Sequence, residues 1–599
     1  MGGMQVGTLR SRSEIDEKYK WRLEDIYENE ELWEEDYKST KQLLEEITGF
    51  EGKINTAENL LKVLKLNDQI GMKMEKIFAY ARMRRDEDNA NPRYQALTDR
   101  AMRLSIEASS ATSFIAPEIL SIDEAKLRAM IEELEELKVY RQYLDNLLRY
   151  KPHVLSPEEE KILAETQTMA QSISNIYTML NNADLRFPSI KDEQGNEVEL
   201  THGNFISFMQ SGNRDVRRSA FNAMCDTYKK YINTFAATMA GNVKKDAFYA
   251  SIRKYNSSLE ASLFDDNVDV SVYDNLIDTV HKRLGALHRY VGIKKRLLGL
   301  DEMHMYDLYV PLIQGYDRRF TYEEAVDLVL EGLKPLGDEY INLLKEGFSS
   351  RWIDVYENIG KTSGAYSWGA YGVHPYVLLN FQGNLNDVFT IAHEMGHALH
   401  TYYSNSAQPY VYSDYRIILA EVASTCNEAI LIDYLLKNTS DEKEKLYLLN
   451  HFLEEFRTTV FRQVMFAEFE KIIHEMAERG EALTAEALSK RYYELNKLYY
   501  GDEIVVDEGI SYEWARIPHF YRNFYVYKYA TGFSAAIAIS QMIMNEGKAA
   551  VERYKEFLKS GSSDYPLNIL KKAGVDLTVP KPIDDALDVF EKLVDEFEK

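Results

Sequence analysis

The sequence has little cysteine and no long apolar run. Its 599 residues include two cysteines, Cys225 and Cys426, which lie far apart and in no spacing typical of a metal site. Neither a disulfide framework nor a cysteine-based zinc site can be built from them. No stretch reaches the roughly 18 consecutive apolar residues of a transmembrane helix, and no apolar segment follows the basic residues of the N-terminus, as it would in a secretory signal. We therefore expect a cytoplasmic protein.

Positive charge is also in short supply. Lys and Arg total 71 against 96 Asp and Glu, which gives a formal net charge of −25. A protein that binds nucleic acid or an anionic membrane needs a basic face, and no long run of Lys and Arg supplies one. We therefore expect neither partner and interpret the acidic surface as a solvated one. Composition leaves the oligomeric state open.

Most of the chain has the apolar periodicity of amphipathic helices, and a chain of 599 residues is too long for a single core. We therefore predict a mainly helical protein with two or more lobes. Two stretches rich in aromatic and β-branched residues and a Gly-Asn turn between short apolar runs predict the few strands. The helical regions are predicted at 24–182, at 202–300 and beyond 415, a hairpin at 185–201, and strands at 305–312 and 364–381.

Histidine is scarce, yet three of the 12 histidines fall within TIAHEMGHALH, residues 390–400. His393, Glu394 and His397 form the pattern H-E-x-x-H. Histidines four apart on a helix share one face and can bind one cation, while Glu394 lies beside that face and can take a proton from an attacking water. The pattern arises by chance only roughly 0.02 to 0.03 times in a chain of this length. It predicts a zinc peptidase site.

The flanks of this motif predict a buried helix. Asn386 or Asp387 can serve as its N-cap. Gly396 inside the helix costs roughly 1 kcal/mol relative to alanine, which suggests that another backbone approaches closely there. His400 shares the face of the two ligand candidates, but a packed core histidine explains it equally well, and its role stays unassigned.

A catalytic zinc ion needs a third protein ligand. The metzincin extension is excluded because His400 and Tyr403 occupy the positions of its glycine and histidine. In RIILAEVASTCNEAI, Glu421 lies among small apolar residues, where a carboxylate needs a cation. Glu428, seven residues later, shares roughly the same helix face and is the rival ligand or an acceptor for a ligand histidine. We favour Glu421 as the ligand, since its surroundings look more buried, and Glu428 as the acceptor for a ligand histidine.

A second cluster of polar aromatic residues lies in ARIPHFYRNFYVYKYATGFSAA, residues 515–536. His519 is followed by Tyr521, Tyr525 and Tyr529, which would fall on one stripe of a helix. Neutral donors of this kind could stabilise the oxyanion that forms when water attacks a carbonyl. A plain core stripe is the alternative in a chain with 42 tyrosines.

Four segments together resemble the oligoendopeptidase F branch of the thimet-type (M3) zinc oligopeptidases. They are HEMGHALH, EVAST, GAYSWGAYGVHPYVLLNF and PHFYRNFYVYKYATGFSAA. The resemblance implies an N-terminal helical oligopeptidase F-type region, residues 1–200, and a zinc peptidase catalytic region, residues 201–599. It also implies a mainly α fold in which two helical lobes enclose a deep substrate channel, with a small β-sheet next to the zinc-binding helix.

The resemblance further implies one Zn²⁺ per chain and short unfolded peptides as substrates. Its zinc ligands correspond to His393, His397 and Glu421, and its catalytic base to Glu394. His519 and a tyrosine of the following cluster would stabilise the tetrahedral intermediate, and we prefer Tyr529 for this role. An extended peptide would add to a strand within 364–381 by main-chain hydrogen bonds. The residues expected to bind substrate are Gly369, Tyr371, Gly372, His374 and Tyr525.

The sequence alone leaves open three alternatives to an endopeptidase that acts on oligopeptides. A peptidyl carboxydipeptidase of the same superfamily would need a group that captures the free C-terminus, and no arginine stands out for it. A peptide-binding protein with a vestigial metal site would not need Glu394. A metallohydrolase for non-peptide amides would not need the strand predicted beside the zinc helix.

Overall fold

A computed structural model describes residues 9–313, 316 and 318–599. Helices make up 71% of it, about twice the share in a typical globular protein, which confirms the mainly α prediction. The α-helices, in chain order, are α1 (Glu30–Thr48), α2 (Ala57–Glu87), α3 (Pro92–Thr112), α4 (Ile115–Ser121), α5 (Glu124–Glu133), α6 (Arg141–Arg149), α7 (Pro157–Thr178), α8 (Phe205–Met209), α9 (Arg214–Lys230), α10 (Ile232–Ile252), α11 (Ser258–Phe264), α12 (Val270–Lys282), α13 (Leu284–Leu297), α14 (Tyr322–Gly332), α15 (Asp338–Ser349), α16 (Leu385–Ala407), α17 (Tyr410–Ser413), α18 (Ile417–Asn438), α19 (Glu442–Phe456), α20 (Arg462–Glu478), α21 (Ala485–Tyr500), α22 (Tyr527–Glu546), α23 (Lys548–Leu558), α24 (Pro566–Lys572) and α25 (Lys581–Glu598).

The strands of the described residues are short and form three small sheets. The strands are β1 (Ser189–Lys191), β2 (Glu197–Glu199), β3 (Met303–His304), β4 (Ile353–Asp354), β5 (Tyr366–Trp368), β6 (Tyr376–Leu378) and β7 (Ile504–Val505). β1 and β2 pair antiparallel, β3 and β7 pair parallel, and the third sheet has the order β4–β6–β5, with β4 parallel and β5 antiparallel to β6. The predicted hairpin at 185–201 and the strands within 364–381 are thereby confirmed.

The strand predicted at 305–312 is wrong. Its first residues form a 3-10 turn, Met305–Asp307, directly after the short strand β3. Asp307 turns the chain because it accepts a hydrogen bond from the backbone N–H of His304 at 3.0 Å. The same carboxylate is bound by Arg214 and Arg217 at 2.9 and 2.7 Å. A side chain that binds its own backbone competes with strand formation, and apolar patterning does not register this competition.

The chain divides into two compact units, each made of three separate segments. Unit 1 comprises Met1–Pro152, Asp317–Tyr434 and Ile539–Gly574, and unit 2 comprises His153–Tyr316, Leu435–Ala538 and Val575–Lys599. Neither unit coincides with the regions 1–200 and 201–599, whose division stays a prediction about the sequence.

In unit 1 the sheet β4–β6–β5 lies between the N-terminal helices and α16. Tyr376 and Leu378 of β6 belong to the same buried cluster as Trp21 and Ile77. The strands β5 and β6 also contact α16. This arrangement confirms the small β-sheet predicted next to the H-E-x-x-H helix.

Unit 2 contains aromatic contacts between helices of its second and third segments. Phe456 packs against Phe533 and Phe590 at centroid distances of 4.9 and 5.4 Å. Cys225, in this unit, and Cys426, in unit 1, are both buried and unpaired. Among the residues that the structure describes, none of the helices is long and apolar enough to span a membrane.

Candidate active site

The helix α16 carries the H-E-x-x-H motif and begins with a capping box. Asn384 accepts a hydrogen bond from the N–H of Asp387 at 3.1 Å, and Asp387 accepts one from the N–H of Asn384 at 2.9 Å. The N-cap is therefore Asn384, and the prediction of Asn386 or Asp387 is wrong by two or three residues. The reciprocal spacing of the two polar residues is the signal of this start.

His393 and His397 lie one turn apart on α16 and converge with Glu421 of α18. Their Nε2 atoms are 3.2 Å apart, and Glu421 Oε2 lies 3.5 Å from the first and 3.7 Å from the second. Donor atoms on a tetrahedral zinc ion with bonds of about 2.1 Å are ~3.4 Å apart. Two imidazole nitrogens and one carboxylate at these separations fit such an ion, and they form a group that could hold a metal.

Gly396 explains how α18 comes close enough for this convergence. A Cβ atom at this position would lie 2.7 Å from Ser424 Cα and 2.9 Å from the carbonyl oxygen of Ala423. The predicted close approach of another backbone is confirmed, and that backbone is the turn of α18 next to Glu421.

We expect Gly396→Ala to lower the free energy of unfolding by about 1–3 kcal/mol, because the added methyl group forces the two backbones apart. The displacement of Glu421 should also weaken zinc binding. Chemical denaturation and zinc competition measure the two effects. Gly285→Ala is the matched control: it is a helical glycine with open space around its Cβ direction, and it should gain up to about 1 kcal/mol of stability. Equal behaviour of the two variants would contradict the packing explanation.

Glu428 binds the other nitrogen of His393. Its Oε1 accepts a short hydrogen bond from Nδ1 of the ring, which directs the Nε2 lone pair toward His397 and Glu421. Burial would lower the pKa of both histidines, but the hydrogen bond and nearby carboxylates raise the pKa of His393 to about 9. Burial and the neighbouring His393 lower the pKa of His397 to about 4. Two rings that face each other in this way share one proton or one cation.

Glu394 is 8% exposed and lies beside the three donor atoms rather than among them. Burial raises its pKa to about 7; His393 lowers it, the carboxylates of Glu421 and Glu428 raise it, and a hydrogen bond from the backbone N–H of Ser367 lowers it. Ser367 lies in β5, so this strand of the sheet passes close to the carboxylate. A carboxylate with a pKa near neutrality can both take up and release a proton.

Two glycines near the sheet occupy positions that disfavour a side chain. A Cβ atom at Gly369 would lie 2.6 Å from Thr401 Cγ2, so a larger residue after β5 would displace this side chain of α16. Gly372 has a φ of 78°, a left-handed conformation that glycine adopts without strain. Both positions therefore have a structural explanation beside the predicted contact with substrate.

The neighbouring aromatic residues differ in their partners. Tyr371 donates its hydroxyl hydrogen to the carbonyl oxygen of Gln408 at 2.9 Å. In His374, one ring nitrogen is 3.0 Å from Asp25 and the other is 2.9 Å from the carbonyl oxygen of the next residue. Its ring also stacks on Trp352 at 5.0 Å. Because both ring nitrogens of His374 already have partners, His374 is not among the proposed substrate contacts.

His400 is a packed residue. Its ring stacks on Tyr415 at 3.6 Å and contacts Phe557 at 5.2 Å. Burial lowers its pKa to about 3, so the ring is neutral at ordinary pH. This environment agrees with the interpretation of His400 as a packed core histidine.

The segment that carries His519 is not a continuous helix. A 3-10 turn covers Pro518–Tyr521, and α22 begins only at Tyr527. Between them Phe524 has a φ of 53°, in the left-handed region that interrupts helices. The prediction of a single helical stripe of tyrosines is therefore wrong.

Three of the four predicted residues nevertheless cluster within unit 2. The ring of His519 lies 6.5 Å from Tyr525 and 6.1 Å from Tyr529, and the two tyrosines are 5.4 Å apart. Tyr521 has other partners: its hydroxyl is 2.8 Å from that of Thr238, and its ring stacks on a neighbouring tyrosine.

Buried polar residues hold this segment in place, and the sequence analysis missed them. Glu470 of α20 accepts a hydrogen bond from the N–H of Phe524 at 3.0 Å. Asn242 donates to the carbonyl oxygen of Phe520 at 3.1 Å, and a serine of α11 donates to that of Asn523 at 3.0 Å. Burial holds the pKa of Glu470 well above its usual value. The signal available in the sequence was the pair of acids, Glu468 and Glu470, within the largely apolar run VMFAEFEKII.

A mainly α fold with an H-E-x-x-H helix and a convergent His/His/Glu group defines a candidate metallopeptidase. Comparison with known proteins agrees: Peptidase family M3 matches residues 207–589, and Oligopeptidase F matches residues 118–187. The chain therefore belongs to peptidase family M3, and the resemblance found in its motifs is confirmed.

Individual relatives match along nearly the whole chain. The chain is 52% identical over 596 residues to Oligopeptidase PepF of Bacillus subtilis (strain 168), covering 99% of this chain and 89% of that protein. The crystal structure of oligoendopeptidase-F from Enterococcus faecium has a TM-score of 0.74 and 38% identity, covering 95% of this chain and 98% of that one. A crystal structure from Chlamydophila abortus has a TM-score of 0.92 and 39% identity, covering 99% and 100%.

Proposed function

We propose that this member of family M3 is a zinc-dependent endopeptidase that hydrolyses internal peptide bonds of short oligopeptides. The observation that carries the proposal is the convergence of two Nε2 atoms and a carboxylate at 3.2 to 3.7 Å, with a further buried carboxylate beside them. The names of the relatives, an oligopeptidase and an oligoendopeptidase, support peptides as the substrates.

In this proposal His393, His397 and Glu421 hold one zinc ion per chain. When bound, zinc would polarise the substrate carbonyl and lower the pKa of a water molecule toward 7. Glu428 keeps His393 in the tautomer whose Nε2 is free to be a ligand, through the hydrogen bond to Nδ1. The donor set suits zinc because imidazole and carboxylate are ordinary ligands of this ion.

Glu394 acts as the general base and then as the general acid. It takes a proton from the attacking water and delivers it to the amine that leaves. Its burial supports this role, because a pKa raised to about 7 reduces the energetic difference between its two protonation states near neutral pH.

His519 and Tyr529 donate hydrogen bonds to the oxyanion that forms on the substrate carbonyl. Their clustering with Tyr525 supports a shared role, and we propose that Tyr525 contacts the substrate. Burial, followed by the charge of Arg522, lowers the pKa of His519. A neutral imidazole of this kind still has one N–H to donate.

The substrate backbone adds to the edge of β5. In the order β4–β6–β5, β5 lies at the edge of its sheet, and within the described residues no further strand pairs with it. Its Ser367 binds the carboxylate of Glu394, so a peptide along this edge would pass beside the proposed base. Gly369, Gly372 and Tyr371 follow in the chain and are proposed contacts for the same peptide.

Replacing Glu470 tests whether the His519 segment contributes to catalysis. Glu470→Met leaves the N–H of Phe524 without an acceptor, so we expect kcat to fall about 10- to 100-fold through misplacement of His519 and Tyr529. Zinc content and KM should stay near the parent values. Glu470→Gln keeps an acceptor oxygen and should retain most of kcat.

Asn496→Leu serves as the control, because Asn496 is also fully buried in unit 2 but bonds within its own helix, to the carbonyl oxygen of Tyr492. The proposed role is contradicted if Glu470→Met keeps full kcat, or if all three variants lose kcat alike.

The substrate class can be tested with one cleavable sequence in two settings. We expect rapid hydrolysis of this sequence as a free peptide of about ten residues and little hydrolysis when it is a loop of a folded protein, because the family resemblance implies restricted access to the site. Rates are measured by mass spectrometry of the fragments. Comparable rates in both settings would overturn the restriction to short peptides.

A further inference from the structure

A cavity of about 310 Å³ lies within unit 1, along the helix that carries the proposed metal ligands. Thr401 and Asn405 line it and follow His397 by four and eight residues, so all three lie on one face of α16. Ser367 and Trp368 of β5 form another part of the wall. The cavity therefore continues from the proposed cleavage site along both elements that would contact the substrate.

Two carboxylates line this cavity, Glu75 of α2 and Asp414 of the loop before α18. Neither forms an ion pair with a lysine or arginine among the described residues. Burial raises the pKa of Glu75, and the charge of Asp414 raises it further. Burial also raises the pKa of Asp414, and the charge of Arg416, two residues away, opposes this shift. Arg416 is not part of the lining.

Hydrogen bonds hold both carboxylates in position. Glu75 accepts from the backbone N–H of Tyr371 at 3.1 Å and from the hydroxyl of Tyr410 at 2.8 Å, one bond on each oxygen. Asp414 accepts from the N–H of Tyr415 at 3.0 Å. A carboxylate has about four acceptor sites, so each group keeps capacity for a further donor.

The remaining wall favours the same kind of ligand. The hydroxyl oxygen of Ser367 is buried and has no hydrogen-bond partner, which is costly unless a ligand supplies one. Tyr371, Tyr415 and Trp368 contribute aromatic rings to the lining, and aromatic faces attract cations. Unused acceptors, net negative charge and aromatic rings together select a group that is positively charged and rich in hydrogen-bond donors.

We propose that this cavity binds a positively charged group of the substrate peptide, a guanidinium or an ammonium, and that Glu75 and Asp414 determine this specificity. The inference rests on the proposed function, because the cavity adjoins the proposed cleavage site. An arginine or lysine side chain and the free amino terminus of a peptide offer the same chemistry, and the experiment distinguishes these sources.

The experiment measures peptide binding in a chain that carries Glu394→Gln, so that no cleavage is needed. Peptides of about ten residues are compared by fluorescence anisotropy in pairs that differ only in charge. One series replaces arginine by its uncharged isostere citrulline at each position in turn, and a second acetylates the amino terminus. Loss of the critical charge should raise Kd about tenfold, as expected for a charge-assisted hydrogen bond. The series that shows the effect identifies the source of the charge.

The double variant Glu75→Gln/Asp414→Asn should remove this preference and leave the affinity for the uncharged peptide within about twofold. Both replacements keep an acceptor oxygen for the backbone N–H groups, and Asp414→Asn alone, at the exposed position, should halve the preference or more. Asp68→Asn is the control: Asp68 lies on the same helix α2 and accepts a hydrogen bond from Tyr140 at 2.7 Å, and the preference should persist.

Equal Kd values within every pair, or a preference that survives the double variant, would overturn the subsite. If the preference holds but the chain with Glu394 intact cleaves none of these peptides, the subsite stands and the proposed endopeptidase activity fails.

Discussion

Replacing Glu394 with glutamine leaves the protein folded and loaded with metal but lowers kcat about 10²- to 10⁴-fold. Glutamine has nearly the same volume and can still accept the hydrogen bond from Ser367, but it cannot take up a proton from water. Because Glu394 is not among the three convergent donors, zinc content should not change. Hydrolysis of a quenched peptide and elemental analysis measure the two properties.

The pH dependence provides the internal control for this variant. Glu394 must be ionised to accept a proton, so kcat/KM of the parent should fall as the pH drops through the pKa of this group. That pKa is about 7 without an ion, and the positive charge of bound zinc should move it lower. The glutamine variant should lack this acidic limb. Substantial residual turnover with an unchanged pH profile would rule out Glu394 as the base.

Removing the carboxylate of Glu421 should weaken zinc binding by well over 100-fold, whereas Glu428→Gln should weaken it only about 10- to 100-fold. The difference follows from the geometry. Glu421 lies 3.5 Å from Nε2 of His393 and so would bind the ion itself, while Glu428 binds the opposite nitrogen and orients the ring. Competition with a chelator of known affinity measures both values, using Glu421→Ala for the first.

The two variants also differ once zinc is saturating. Glu428→Gln should recover most of its kcat, because the three donors remain, and Glu421→Ala should not, because the ion would lack a ligand. The opposite order of affinities would assign the ligand to Glu428, the alternative that the sequence leaves open.

The sequence predicts those parts of the candidate site that depend only on residues close together in the chain. The spacing of His393 and His397 on one helix determines that their rings share a face. The unfavourable glycine between them, Gly396, correctly indicated a close backbone, which proved to be the turn of α18 beside Glu421. Each of these inferences needs only helical periodicity and the unfavourable helix propensity of one glycine.

Features that depend on distant contacts were not accessible in this way. The turn at Met305–Asp307 depends on arginines about 90 positions earlier in the chain that bind Asp307. The break before α22 depends on Phe524 in a left-handed conformation, with its N–H bound by Glu470 of another helix. Periodicity extended a helix through this break. It also could not show that each compact unit is assembled from three separate segments.

The most direct test is a zinc titration of the metal-free chain with mass spectrometry of the products. Peptides of about ten residues, with free and amidated C-termini, are digested after each addition of zinc. We expect no cleavage in chelator, internal fragments that increase until one zinc ion per chain is bound, and the same cleavage sites in both kinds of peptide. Cleavage that persists in chelator would contradict a zinc peptidase, and release of C-terminal dipeptides only from free C-termini would contradict an endopeptidase.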